Sequence, residues 1–151
     1  MSAPVVFGDP KKWSKSTLTY AFENFPKSVS NNDARAAVQY AFNQWSTIIP
    51  KTFKEISWDS LKPADFKFSF EDGKTGASSD GHITENNEIE WKRYKIGENM
   101  DLHKLDITRN FMAGIYTIFV WANVIQKDTI LLSDNFDSNE RYVLPKLSKK
   151  D

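Results

Sequence analysis

One stretch of the chain, residues 111–125, is apolar at nearly every position and limits the folds that the chain can adopt. A surface helix carries apolar side chains on one side only, so this stretch predicts a helix at the centre of a domain, within 107–126. About fifteen residues are fewer than the ~20 that a helix needs to cross a bilayer. Three other interpretations stay open: a helix that also joins two copies of the chain, a pair of buried strands, and insertion into a membrane.

The composition predicts one folded domain. The chain has 151 residues, of which 40% are hydrophobic and 26% are charged, as in globular proteins rather than disordered ones. Its 20 Lys and Arg balance its 20 Asp and Glu, so bulk charge favours neither a nucleic acid nor an anionic membrane as partner. The absence of Cys from the sequence excludes disulfides, thiolate metal sites and Cys nucleophiles.

Apolar periodicity elsewhere predicts several strands and one further helix. Alternation predicts strands over 17–22 and 65–70, and a helix over 31–48 begins at Ser30, which is placed to cap it. The apolar stripe of this helix consists of Val38, Ala41, Phe42, Trp45 and Ile49. Short extended segments are predicted at 52–56, 82–84 and 88–91, polar loops at 72–73 and 76–81, and no assignment is made for 92–104.

The chain contains only two histidines, His82 and His103, and this number limits its chemistry. The Gly-x-Ser-x-Gly turn of serine hydrolases and the Gly-rich loops that bind nucleotides are both absent from the sequence. A metal ion could be held only by these histidines together with carboxylates such as Glu85 and Glu88. A solvated strand and loop explains the same residues, and we favour that interpretation and expect no metal or cofactor.

Four segments, in this order, resemble the catalytic domain of matrixin-type metallopeptidases. They are Trp13–Phe22 with the pattern W-x-K-x-x-L-T-Y, the helix followed by Pro50–Phe53 (P-x-T-F), Ala64–Phe70 (A-D-I-x-I-x-F), and Gly81–Trp91, which is similar to A-H-F-D followed by E-x-W. The resemblance covers about residues 10–91. It implies an α/β (α+β) three-layer sandwich with a twisted mixed sheet, one backing helix and one central apolar helix. This would be a single domain over 1–151 with a shortened C-terminal subdomain.

The zinc site that the resemblance implies is missing from the sequence. In the family, the central helix carries H-E-x-x-H-x-x-G-x-x-H, in which the histidines bind zinc and the Glu activates water. Segment 107–126 takes the place of that helix and contains neither His nor Glu. The Met-containing turn that follows in the family is missing too, because Met112 is the last Met. His82 matches a family position that binds a structural zinc, but its companion ligands are not recognisable.

These observations predict a catalytically inactive matrixin-like domain that works as a non-enzymatic binding or interaction protein of a lectin-like, inhibitory or defence-related kind. Two alternatives stay open. One is a metallopeptidase with a non-standard metal site, drawn from His82, His103, Glu85 and Glu88. The other is a membrane-active or toxin-like protein whose apolar helix is released on contact with a bilayer.

The apolar helix also predicts a homodimer. The C-terminal subdomain that would cover it is reduced to roughly twenty-five residues, so part of the helix should meet a second copy of the chain. The residues expected at this interface are Tyr116, Phe119, Val120, Trp121 and Val124. Nucleic acid is not expected as a partner, a membrane is not favoured, and no ligand is identified. The first ten residues lack the basic and long apolar parts of a secretory signal, which predicts a cytoplasmic or leaderless protein.

Overall fold

The computed structural model confirms an α/β fold and describes residues 13–72, 77–98, 102–122, 130–132 and 147–149. The elements that it describes are β1 (Thr17–Phe22), α1 (Asn31–Ser46), β2 (Thr52–Glu55), β3 (Phe66–Asp72), β4 (Ala77–Ile83), β5 (Ile89–Glu98), α2 (Lys104–Trp121), β6 (Ile130–Leu132) and β7 (Leu147–Lys149). Five strands form the main sheet, in the order β2-β1-β3-β5-β4. β4 is antiparallel to β5, all other neighbours in this sheet are parallel, and β6 pairs with β7 in a separate antiparallel ribbon.

Helix α1 forms as the sequence predicts. The hydroxyl oxygen of Ser30 accepts a hydrogen bond from the backbone N–H of Asp33 at 3.1 Å, which satisfies one of the free donors of the first turn. The helix ends at Ser46, two residues before the predicted end. All five residues of the predicted stripe are buried, with exposed fractions of 5% or less. The stripe therefore attaches α1 to the sheet.

Both helices pack on the same face of the sheet, and α1 also contacts α2. The aromatic residues of β1 and β3 supply this face, because alternate residues of a strand point the same way. The ring of Phe42 in α1 lies 4.8 Å from that of Tyr20 and 5.6 Å from that of Phe66. Phe68 packs edge-on against Phe111 of α2 at 4.6 Å. One continuous aromatic core therefore lies between the sheet and the two helices.

One prediction for the region between β3 and α2 is wrong, and one segment without an assignment forms a strand. Of the polar loop predicted at 76–81, residues 77–81 belong to strand β4, whose side chains are largely exposed, so it has no apolar alternation to detect. The unassigned residues 92–98 continue β5, where Lys92 and Glu98 occupy buried positions beside Tyr94 and Ile96. Charged residues at buried positions break the alternation on which strand prediction depends.

Helix α2 is a central core helix, which confirms the favoured interpretation and excludes the strand pair. It begins at Lys104, three residues before the predicted start. Its buried side chains belong to Ile107, Thr108, Phe111, Met112, Ile115, Ile118 and Phe119. Ala113 and Thr117 are exposed, so α2 has a narrow outward side and is not apolar all round. Among the described residues, no helix has the length and hydropathy needed to cross a membrane.

Candidate functional site

The side of α2 that faces the sheet is filled by aromatic and apolar side chains. The ring of Phe111 lies 5.3 Å from that of Tyr94 in β5. The hydroxyl of Tyr94 donates to the backbone oxygen of Asn110 at 2.8 Å, and burial raises the pKa of Tyr94 to about 12. The same ring lies so close to Gly114 that an added Cβ atom would approach it to 2.4 Å. Side chains therefore fill the space between β5 and α2 at this point.

Helix α2 offers almost no side chain that binds a metal ion. It contains no His, and Asp106 is its one carboxylate. The Oδ2 atom of Asp106 accepts a hydrogen bond from the backbone N–H of His103 at 2.8 Å, so this acid caps the helix that it belongs to. Zinc sites in proteins use three or four His, Cys or carboxylate ligands. The residues of α2 do not fit a zinc ion.

The metal-ligand candidates of the sequence lie on the surface. His82 in β4 is in hydrogen-bond contact with Glu90 in β5, with 2.6 Å between Nδ1 and Oε2, and both side chains are more than half exposed. Glu85 and Glu88 are exposed in the turn between these strands, and His103 is exposed just before α2. In the described part of the chain, no three His, Asp or Glu side chains come together as a metal site would require.

The predicted interface residues of α2 are partly covered by the chain itself. Phe119 is fully buried and packs against Trp45, Phe53 and Phe66 at ring distances of 5.8–6.2 Å. Phe119 is therefore buried by the chain itself and is not available for an interface with a second copy. Tyr116 is half-buried and stacks on Trp45 at 5.9 Å. For Val120 and Trp121 the structure describes the helix but not the side chains, and Val124 lies outside the described residues.

A cleft of about 450 Å³ lies at the carboxyl ends of β1 and β2, where no site was predicted. Its lining residues are Phe22, Phe25, Arg35, Glu55, Ile56, Ser57 and Trp58. They come from β1, the segment after it, α1, β2 and the segment after β2, so no local motif joins them. The one signal in the sequence is Trp58, a large aromatic residue in the polar segment that follows β2.

The chain is similar in sequence to metalloproteinases. The profile of the peptidase M10 family, described as matrixin, matches residues 12–106. The Arabidopsis thaliana protein metalloendoproteinase 1-MMP is 36% identical over 72 residues, which are 46% of this chain and 19% of that protein. Human matrix metalloproteinase-20 is 38% identical over 71 residues, which are 47% of this chain and 14% of that protein. The matched part of this chain thus spans less than a fifth of either relative.

A solved structure, the crystal structure of myroilysin, aligns with 78% of this chain and 48% of that chain, with 17% identity and a TM-score of 0.46. The family match itself runs from the residue before Trp13 to Asp106, in the first turn of α2. It therefore includes the five strands of the main sheet and α1, and it ends before the apolar part of α2. Since this match takes in well over half of the 151 residues, the chain belongs to the matrixin family.

Proposed function

We propose that this matrixin domain does not hydrolyse peptides by a zinc mechanism and works as a non-enzymatic binding domain. The observation that supports the proposal is the composition of α2, the helix that, by the resemblance in sequence, takes the place of the zinc-binding helix of the family. It carries no His and no Glu, and its inward side chains belong to the aromatic and aliphatic core. The whole chain has two His, fewer than the three of the family motif.

Packing can hold α2 in place without a metal ion. Burial of a large apolar side chain contributes roughly 1.5–3 kcal/mol before entropy is counted. Helix α2 buries Ile107, Phe111, Met112, Ile115 and Phe119 to exposed fractions of 1% or less. The sum of these contributions is comparable with the binding free energy of a structural zinc ion, about 10–16 kcal/mol. The domain should therefore fold equally well in the presence of a chelator.

We expect purified protein to contain no stoichiometric zinc and to leave a quenched fluorescent peptide library uncleaved. Elemental analysis by mass spectrometry gives the metal content, and the library assay is run with and without added zinc and with a chelator. The melting temperature should be the same under all three conditions.

One zinc ion per chain, together with cleavage that a chelator stops, would contradict the proposal and favour the non-standard metal site. The variants His82→Ala and His103→Ala would then decide which histidine takes part. Because His82 is exposed and its contact with Glu90 is solvated, its loss should leave the fold intact.

Self-association through α2 stays a prediction of the sequence. We expect a dimer in sedimentation experiments at high micromolar concentration, and Trp121→Glu should convert it to a monomer with an unchanged circular dichroism spectrum, since a charge at the centre of an apolar interface opposes its burial. Gln39→Glu, at an exposed position of α1 and away from this helix face, provides a matched charge control. A monomeric wild-type protein would show that the chain covers this helix by itself.

A further inference from the structure

The chain segments that leave β1 and β2 lie on opposite faces of the sheet. After β1 the chain enters α1, whose Phe42 packs on Tyr20. After β2 it forms segment 56–65, where Trp58 borders a hollow of about 220 Å³ together with Ala21. Ala21 follows Tyr20 in β1 and so points to the other face. In open α/β sheets, ligands bind where the connections of neighbouring parallel strands diverge at their carboxyl ends, which is the position of the cleft.

Aromatic side chains form the walls of this cleft. Phe22 is 6% exposed and stacks on Phe25, with ring centroids 4.8 Å apart. Trp58 is 42% exposed, which is unusual for a residue of this size in a soluble domain. A volume of about 450 Å³ lies within the range of small-ligand sites. The cleft therefore offers flat apolar surfaces, one of them accessible from solvent.

The polar part of the cleft is an ion pair without net charge. The Nε atom of Arg35 lies 3.1 Å from Oε2 of Glu55, and the guanidinium lies over the ring of Phe25 at 4.8 Å. The two side chains are 45% and 30% exposed, so a ligand can reach them. A guanidinium has five N–H donors, and a carboxylate has about four acceptor sites. One ion-pair contact uses only part of them, so the pair can also form hydrogen bonds with a ligand. An anion would be repelled by Glu55 and a cation by Arg35, which favours a neutral ligand.

We propose that this cleft binds a neutral saccharide. A sugar ring has one face of C–H groups, which can stack on Trp58, and neighbouring hydroxyls that can donate to Glu55 and accept from Arg35. The open side of the cleft leaves room for a sugar chain to continue into solvent. This inference rests on the proposed function because it names the ligand class of the binding domain, but the cleft contains no residue of α2.

The test is an NMR titration of the full chain with neutral hexasaccharides built from glucose, xylose, mannose or N-acetylglucosamine. The indole N–H signal of Trp58, assigned with the variant Trp58→Phe, should shift in proportion to binding with at least one of them. In the variants, which lack this indole, binding is followed through the backbone amide signals of the cleft. Trp58→Ala should weaken binding by at least about tenfold, and Trp58→Phe should restore part of it because it keeps a flat ring. The matched control is Leu61→Ala, fully exposed on the same segment but outside the cleft, which should bind like the wild type.

The absence of any Trp58 shift with all four sugars at about 10 mM would overturn the proposal, since the dissociation constant would then lie well above about 10 mM. Equal binding by Trp58→Ala and the wild type would overturn it too, as would a shift produced by a neutral unstructured peptide but by no sugar. None of these results bears on zinc content or peptide hydrolysis. Conversely, a zinc-dependent peptidase that binds sugar at Trp58 would refute the proposed function and leave this inference in place.

Discussion

Replacing Trp45 with alanine is expected to lower the free energy of unfolding by about 3–5 kcal/mol. Trp45 has no exposed surface and lies between the two helices, stacked on Tyr116 at 5.9 Å and edge-on to Phe119 at 5.8 Å. Its removal leaves a cavity that the surrounding rings can close only partly, because they are held by the sheet as well. Urea unfolding followed by circular dichroism measures the loss.

The matched control for Trp45→Ala is Gln39→Ala, on the exposed side of the same helix. This change removes no packing and should alter the free energy of unfolding by less than about 0.5 kcal/mol. A loss below about 1 kcal/mol for Trp45→Ala would show that the apolar stripe of α1 does not hold the helix to the rest of the core.

Replacing Gly114 with alanine is expected to destabilise the domain by about 1–3 kcal/mol. At an open position in a helix, the same change would stabilise it by up to about 1 kcal/mol, because alanine has the higher helix propensity. Here the new Cβ atom would lie 2.4–2.6 Å from three atoms at the hydroxyl end of Tyr94. That ring is buried and its hydroxyl is hydrogen-bonded to Asn110, so it cannot move away freely.

A double-mutant cycle isolates this contact. In a Tyr94→Ala background the clashing atoms are absent, so adding Gly114→Ala should cost less than in the wild type, or stabilise the helix. Thr117→Ala, at an exposed position of α2, should change the free energy of unfolding by less than about 0.5 kcal/mol. An equal loss from Gly114→Ala in both backgrounds would show that the cost does not come from the ring of Tyr94.

The sequence predicts those elements whose signals are local. The hydroxyl of Ser30 and the stripe that ends in Trp45 identify α1, and the alternating Phe66, Phe68 and Phe70 identify β3. Each pattern depends on side chains within one element and on one buried side. The resemblance to matrixins then predicts a mixed sheet with helices packed against it, and the structure has this arrangement.

Elements stabilised by distant partners escape such prediction. Glu98 is buried at the end of β5 because its carboxylate accepts hydrogen bonds from the backbone N–H groups of Lys27 and Ser28. Lys92 is buried in the same strand, and desolvation lowers its pKa. From the sequence alone, both residues would be assigned to solvent-exposed positions, since the groups that surround them become neighbours only after folding.

The cleft was missed for a similar reason. Arg35 and Glu55 look like ordinary surface charges on a helix and a strand, and they lie twenty residues apart in the chain. Only the parallel pairing of β1 with β2 and the position of α1 bring them together beside Phe25. A site assembled in this way can be recognised from coordinates or from an alignment of relatives, but not from one sequence.

Strand β4 has a further consequence for the behaviour of the domain in concentrated solution. It is the last strand of the sheet, and within the described residues nothing pairs with its outer edge. A free strand edge can join the edge of another molecule and start aggregation, unless charges and poorly β-forming residues interrupt it. Ser78, Ser79, Asp80 and Gly81 supply such an interruption at the middle of β4. The polar residues that hide this strand from sequence prediction therefore also protect the protein from edge-to-edge aggregation.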